Sequence, residues 1–235
     1  MSEISDYLPG RLGRNDATLE TDERADPRIV QVLLAARGLA PGVDEIDPKA
    51  SYEDCLAYCA AFEDAAAEGN ALLSANLAAP ESVETSKEII GGVDANEIQL
   101  YIHRPRKRAG RVPCIVHIHG GGMVLMGATD PMFVRWRGAL AELGVVVIGV
   151  EFRNGGGRLG NHPFPAGLND CASAVQWADS NRDALGISSI VISGESGGGN
   201  LSLATALKAN KEGWIDQIAG VYACCPYICL SLIHI

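Results

Sequence analysis

Several things are scarce in this chain, and each scarcity removes a class of function. No stretch approaches the roughly 18 consecutive apolar residues that a membrane-crossing helix needs, so no span is expected. Basic charge is short. Nineteen Lys and Arg stand against 29 Asp and Glu, for a net charge of −10. The deficit is uneven: residues 1–90 carry 18 acidic and 7 basic side chains, and residues 91–235 carry 11 and 12. Such a surface repels phosphate backbones, which argues against a nucleic-acid partner. The one basic cluster, RPRKRAGR at 104–111, lies between two strand-like runs and reads as a solvated turn. The seven cysteines (55, 59, 114, 171, 224, 225 and 229) form no CxxC pair and have no paired histidines beside them. They read as buried thiols rather than zinc ligands or a disulfide frame. The opening MSEISDYLPGRLGRND lacks the apolar core of a signal peptide, and with reduced thiols this points to the cytoplasm.

What is present is alternation of helix and strand. DPRIVQVLLAARGLAPG has Pro27 near its start, an apolar stripe (Ile29, Val30, Leu33, Leu34) and Gly38 near its end, which predicts a helix. SYEDCLAYCAAFEDAAAEGNALLSAN predicts a second, with Ser51 as its cap and Cys55, Cys59 and Phe62 on one packed face. After Ala79 the period changes to two. Ile98, Leu100 and Ile102 alternate with Gln99 and Tyr101, and ETSKEIIGGVD is the expected antiparallel partner, turned at Gly91–Gly92. Three apolar runs, 112–119, 144–152 and 188–193, read as strands covered on both faces. The intervening 132–143 and 168–185 fit helices, and 218–225 one more strand. The pattern predicts a doubly wound, mostly parallel α/β sheet with a small antiparallel lead-in.

Two glycine clusters carry the chemistry. Gly194-Glu195-Ser196-Gly197-Gly198 joins a strand to a helix, the setting of a nucleophile elbow. The second, His119-Gly120-Gly121-Gly122, stands 77 residues earlier at another strand end, where consecutive glycines let backbone N–H groups converge on one point. An acyl-transfer site needs a nucleophile and such donors for its oxyanion. A phosphate loop would need GxxxxGK[ST], and neither cluster has the Lys.

HGGGM, GESGGGNL and the block HPFPAGLNDC (162–171) together resemble the hormone-sensitive-lipase-like branch of the α/β-hydrolase esterases, over roughly residues 90–228. The resemblance implies an α/β-hydrolase fold acting on small-molecule acyl esters without cofactor or metal. It implies an N-terminal helical cap (1–82), a hydrolase core (83–229) and Ser196 as nucleophile. Gly121, Gly122 and Gly197 would offer the oxyanion N–H groups, and His119 would shape the glycine loop rather than act as base. Glu195 stands where many relatives have Asp, and Phe152 where many have Tyr. The branch is also similar to plant gibberellin receptors, which keep the loop and serine but lack the histidine. A non-catalytic small-molecule receptor on the same fold is therefore the alternative.

The branch's triad continues after the serine with an acid and then a histidine. After Ser196 the chain has Glu212 and Asp216, both ahead of the 218–225 strand, and His234 alone, within LSLIHI. That hexapeptide is what CTG TCT CTT ATA CAC ATC encodes, a transposase end sequence used in library preparation. The expectation is that the hydrolase core lacks its last strands and its triad acid and base, and that 230–235 is a non-native tail. The 235-residue chain should then be poorly soluble and nearly inactive. Resequencing the locus checks this, and an intact gene ending in LSLIHI would sink it.

Overall fold

The computed structural model describes Arg14 and residues 16–37, 46–74 and 79–228. Gly38, Cys229, His234 and the tail 230–235 lie outside the described residues. The chain forms two compact units, Met1–Gly42 and Val43–Ile235. In the first, helix α1 (Pro27–Arg37) begins where the sequence places Pro27, and the Asp26 carboxylate accepts the Arg28 N–H at 2.9 Å. Its stripe residues Ile29 and Leu34 are exposed.

The second unit opens with helix α2 (Tyr52–Ser74). Ser51 caps it as expected: its hydroxyl accepts the Asp54 N–H at 3.1 Å, and the Asp54 carboxylate accepts the Ser51 N–H in return. The expected packed face is corrected. Cys55 and Phe62 are exposed and Cys59 is only half-buried, while Glu63 of the same helix is buried. Helical spacing shows that apolar residues share a face, but not that anything covers it.

Six strands follow: β1 (Val83–Gly91), β2 (Glu97–Pro105), β3 (Val112–Ile118), β4 (Val146–Glu151), β5 (Ile187–Glu195) and β6 (Gly220–Cys224). They lie in the order β1-β2-β4-β3-β5-β6. The first two pairings are antiparallel and the rest parallel, which is the expected doubly wound sheet with an antiparallel lead-in. Helices α3 (Pro131–Glu142), α4 (Ala166–Ser180), α5 (Arg182–Leu185) and α6 (Gly197–Glu212) cover it. The single helix expected over 168–185 is two, because Asn181 Nδ2 turns back to the Trp177 carbonyl at 2.8 Å and ends α4 there.

The two faces of the sheet differ in chemistry. Successive side chains on a strand point to opposite faces. On the α4 and α6 side stand Ile98, Leu100, Ile102, Val116, Ile118, Ile148, Val150, Ile190 and Ile192, packed with Cys171, Val175 and Leu201 in one apolar core. The intervening positions on the α3 side include Gln99, Tyr101, His103, His117, Gly149, Glu151, Ser193 and Glu195, with Ile115, Val147 and Val191 among them. A small apolar cluster of Val83, Ala141 and Val147 also lies there. Fully buried on this side is Arg137 of α3, whose Nη2 donates to the Ala128 carbonyl at 2.5 Å. Gly149 makes room for it: a Cβ there would lie 2.6 Å from the guanidinium carbon.

Buried thiols were expected throughout. Among the six cysteines described, only Cys114 and Cys171 are buried, and burial pushes the Cys114 thiol up to about 12.

The packing is tightest where the elbow meets β3. Ile118 pairs with Gly194 across the parallel ladder. A Cβ on Gly198 would lie 2.0 Å from the Ile118 carbonyl oxygen and 2.5 Å from that of His119. No rotation relieves a contact between a Cβ and a carbonyl. Gly198→Ala should therefore cost about 3 kcal/mol or more, read as a lowered urea midpoint. An unchanged midpoint would show that α6 does not approach β3 this closely.

Candidate active site

Strand β5 runs straight into α6 through Ser196, whose backbone sits at φ 53°, ψ −117°. A serine at positive φ is strained, and such strain persists only where surroundings over-determine it. Here the Ser196 N–H donates to the Cys224 carbonyl and the Ser196 carbonyl accepts the Tyr227 N–H, both at 2.9 Å. The conformation leaves the side chain exposed at the positive end of a 16-residue helix.

The four sequence-predicted site residues come together. A Cβ on Gly197 would lie 2.8 Å from the Gly122 nitrogen and 2.7 Å from that of Met123, so the glycine loop lies directly against the residue after the serine. Gly121 (φ 103°) and Gly122 (φ 65°) both occupy left-handed backbone, which favours glycine. At Gly121 even a methyl is excluded, since its carbon would lie 2.1 Å from the Leu125 carbonyl oxygen.

Side chains grip this loop along its length. Glu195 accepts the Gly120 N–H at 2.9 Å and pairs with His117 Nε2 at 3.1 Å. Asn154 Nδ2 donates to the Met126 carbonyl at 2.7 Å, and Glu63 accepts the Met126 N–H. Glu151 accepts the Ala128 N–H at 2.7 Å, and Arg137 holds the same residue's carbonyl. Of these gripping residues Glu195 lies within the GESGG pentad itself. The grips of Glu63, Glu151 and Asn154 join residues 63, 23 and 28 positions apart and left no local mark in the sequence.

No described histidine hydrogen-bonds Ser196. His119 is fully buried, bonds the Gly120 carbonyl through Nδ1 at 2.7 Å, and stacks on Phe152 with ring centres 4.2 Å apart. This is the loop-shaping place expected of it. His103 is buried in β2, and His162 lies exposed in the loop before α4. Glu212 closes α6, about 24 Å of helical rise from the serine, and pairs with Lys208. Among the described residues no side chain hydrogen-bonds Ser196 Oγ, and none form a group of three or more His, Cys, Asp or Glu fit to hold a metal. A groove of about 310 Å³ runs along the elbow's flank, between Phe133 and Trp136 of α3 and Glu195 and Tyr222, but neither Ser196 nor the glycine loop lines it. No described helix is long and apolar enough to cross a membrane.

A family model for the alpha/beta hydrolase fold matches residues 115–233. The chain is similar to versiconal hemiacetal acetate esterase of Aspergillus parasiticus, at 31% identity over 62% of this chain and 42% of that protein. It is similar also to carboxylesterase NlhH of Mycobacterium tuberculosis, at 30% identity over 53% of this chain and 38% of the relative. Among solved structures, brefeldin A esterase, described as a bacterial homologue of human hormone-sensitive lipase, superposes with a TM-score of 0.81 at 40% identity. That match covers 94% of this chain and 62% of the esterase. The chain thus spans less than half of these two curated relatives.

Burial holds His119 and His103 down to about 4, against an ordinary 6.5. The unfolded chain protonates both near 6.5 and the folded chain does not until about 4. Between those values the unfolded state binds more protons, so stability falls as pH drops through that window. Burial also disfavours the Glu195 carboxylate, but the His117 ring and the Gly120 N–H outweigh it and hold the group below its ordinary 4.5. Its contribution disappears at still lower pH. Urea midpoints should decline from pH 6.5 to 4, less steeply in His119→Gln, whereas a flat profile would contradict the burial of these rings.

Proposed function

The chain belongs to the α/β-hydrolase fold family, in its hormone-sensitive-lipase-like branch, and on that premise we propose that it is a serine carboxylesterase. Ser196 Oγ attacks the acyl carbon of a small-molecule ester, and the N–H groups of Gly121, Gly122 and Gly197 receive the charge that develops on the carbonyl oxygen. The observation that carries this reading is the contact between Gly197 and the Gly122 nitrogen, which puts amides from two separate strand ends beside one exposed serine. Such donors matter because the charge they meet exists only in the transition state and tetrahedral intermediate. Loss of one costs about 10²–10³ in rate. The α6 N-terminus adds its partial positive charge at the same point.

The hydroxyl proton needs a base. His119 is poorly suited, being neutral, buried, stacked on Phe152 and engaged with Gly120. The described residues supply nucleophile and donors only. We infer that hydrolysis by these groups alone is slow, since removing the histidine of a serine hydrolase costs on the order of 10⁶ in turnover. Free thiols at Cys114 and Cys171 accord with a cytoplasmic location.

An acetate ester is the first substrate to try, because one relative is named for an acetate. A fluorophosphonate should label Ser196 slowly and at that residue alone, as read by peptide mass, and Ser196→Ala should abolish the adduct. Nitrophenyl acetate should turn over far below the ordinary 1–10³ s⁻¹ of enzymes. Labelling elsewhere, or not at all, would overturn Ser196 as the nucleophile, and ordinary turnover lost in Ser196→Ala would overturn the inference of slow hydrolysis. Saturable binding of a small ester with neither labelling nor turnover would favour a receptor.

A further inference from the structure

Glu63 of α2 is buried, at 5% exposure. A carboxylate withdrawn from water is costly unless its oxygens find donors. Both oxygens do. Oε1 accepts the Met126 N–H and Oε2 accepts the Arg158 N–H at 2.5 Å, with Arg158 Nε 3.5 Å away. These donors belong to two different loops, the glycine loop after β3 and the 153–160 segment after β4.

The surroundings are built to admit this carboxylate. Gly157, at φ 63°, faces it, and a Cβ there would lie 2.5 Å from Oε2. Met126 sits at φ 72°, a region methionine rarely adopts, and is held from both sides: its N–H by Glu63 and its carbonyl by Asn154 Nδ2 at 2.7 Å. The same two loops are joined again nearer the serine, where the Met123 carbonyl accepts the Gly155 N–H at 2.9 Å. Met123 in turn lies against Gly197. A continuous set of contacts therefore runs from helix α2 to the amides opposite Ser196.

We propose that Glu63 is a positioning residue for the oxyanion loop: by holding Met126 and Arg158 together it sets where the Gly121 and Gly122 N–H groups point. This rests on the reading of those amides as oxyanion donors. It touches no reacting atom and acts through the loop. Helix α2 is thereby coupled to the reaction centre.

The test has two arms on the full 235-residue chain. Amide hydrogen exchange compares wild type with Glu63→Ala, Glu63→Gln and a control, Asp64→Asn, at an exposed neighbouring carboxylate. Exchange at residues 121–126 should rise tenfold or more in Glu63→Ala and less in Glu63→Gln, which keeps an acceptor. The β3, β4 and β5 amides and the Asp64 control should be unchanged. Unaltered loop exchange, or an equal rise through the whole sheet, would overturn the proposal. The second arm follows the fluorophosphonate reaction of Ser196. Its maximal rate should drop about 10- to 100-fold in Glu63→Ala while the concentration for half-saturation holds, with partial rescue in Glu63→Gln. A maximal rate that holds while half-saturation shifts would overturn it. Failure of wild type to label would count against the esterase reading, and the exchange arm would still decide whether Glu63 holds the loop.

Discussion

The arrangement around Ser196 depends on one close approach, that of the first turn of α6 to the end of β3. Gly198 lies against the carbonyls of Ile118 and His119, and Gly194 against Gly198 itself, with no space for a side chain at either place. Because the helix begins this near the strand, the serine must occupy a strained turn, and the glycine loop leaving β3 must pass beside the residue after it. Serine and glycine loop are thus brought together by backbone packing. Side chains then refine the result.

That refinement is electrostatic. Three carboxylates from three elements, Glu63 of α2, Glu151 of β4 and Glu195 of β5, each accept one backbone N–H of the segment from Gly120 to Ala128. Glycine-rich backbone has little of its own to hold it in one conformation, since glycine loses more freedom on ordering than any other residue. Charge-assisted hydrogen bonds accepted by carboxylates are a strong way to supply the missing constraint. The polar face under α3 can be understood in this light. His117 steadies Glu195, and Arg137 lies near enough to Glu151 and Glu195 for their charges to sustain its own in a buried site.

The sequence made the frame legible because its signals were local. Alternation at Ile98, Leu100 and Ile102 marked β2, and unbroken apolar runs marked β3 to β5. The glycines around Ser196 marked the elbow, since tight turns restrict residue type at the turn itself. It did not show Glu63, whose partners are distant along the chain, over 63 and 95 residues. An acid on a helix looks solvated until the loop that covers it is known. The reverse error occurred at Cys55 and Phe62, where apolar spacing suggested a covered face and none was found.

The contrast between the two sides of the sheet also bears on how the protein tolerates change. On the α4 and α6 side the contacts are non-directional, and exchanging one aliphatic residue for another of like volume typically costs under about 1.5 kcal/mol. On the α3 side some buried groups have a specific partner, as Arg137 has in the Ala128 carbonyl and His117 in Glu195, so a substitution there strands a donor or a charge. Sequence drift should therefore accumulate on the apolar side and stall on the polar one. In this fold burial alone is a poor guide to how freely a position can vary; the face on which it lies is the better one.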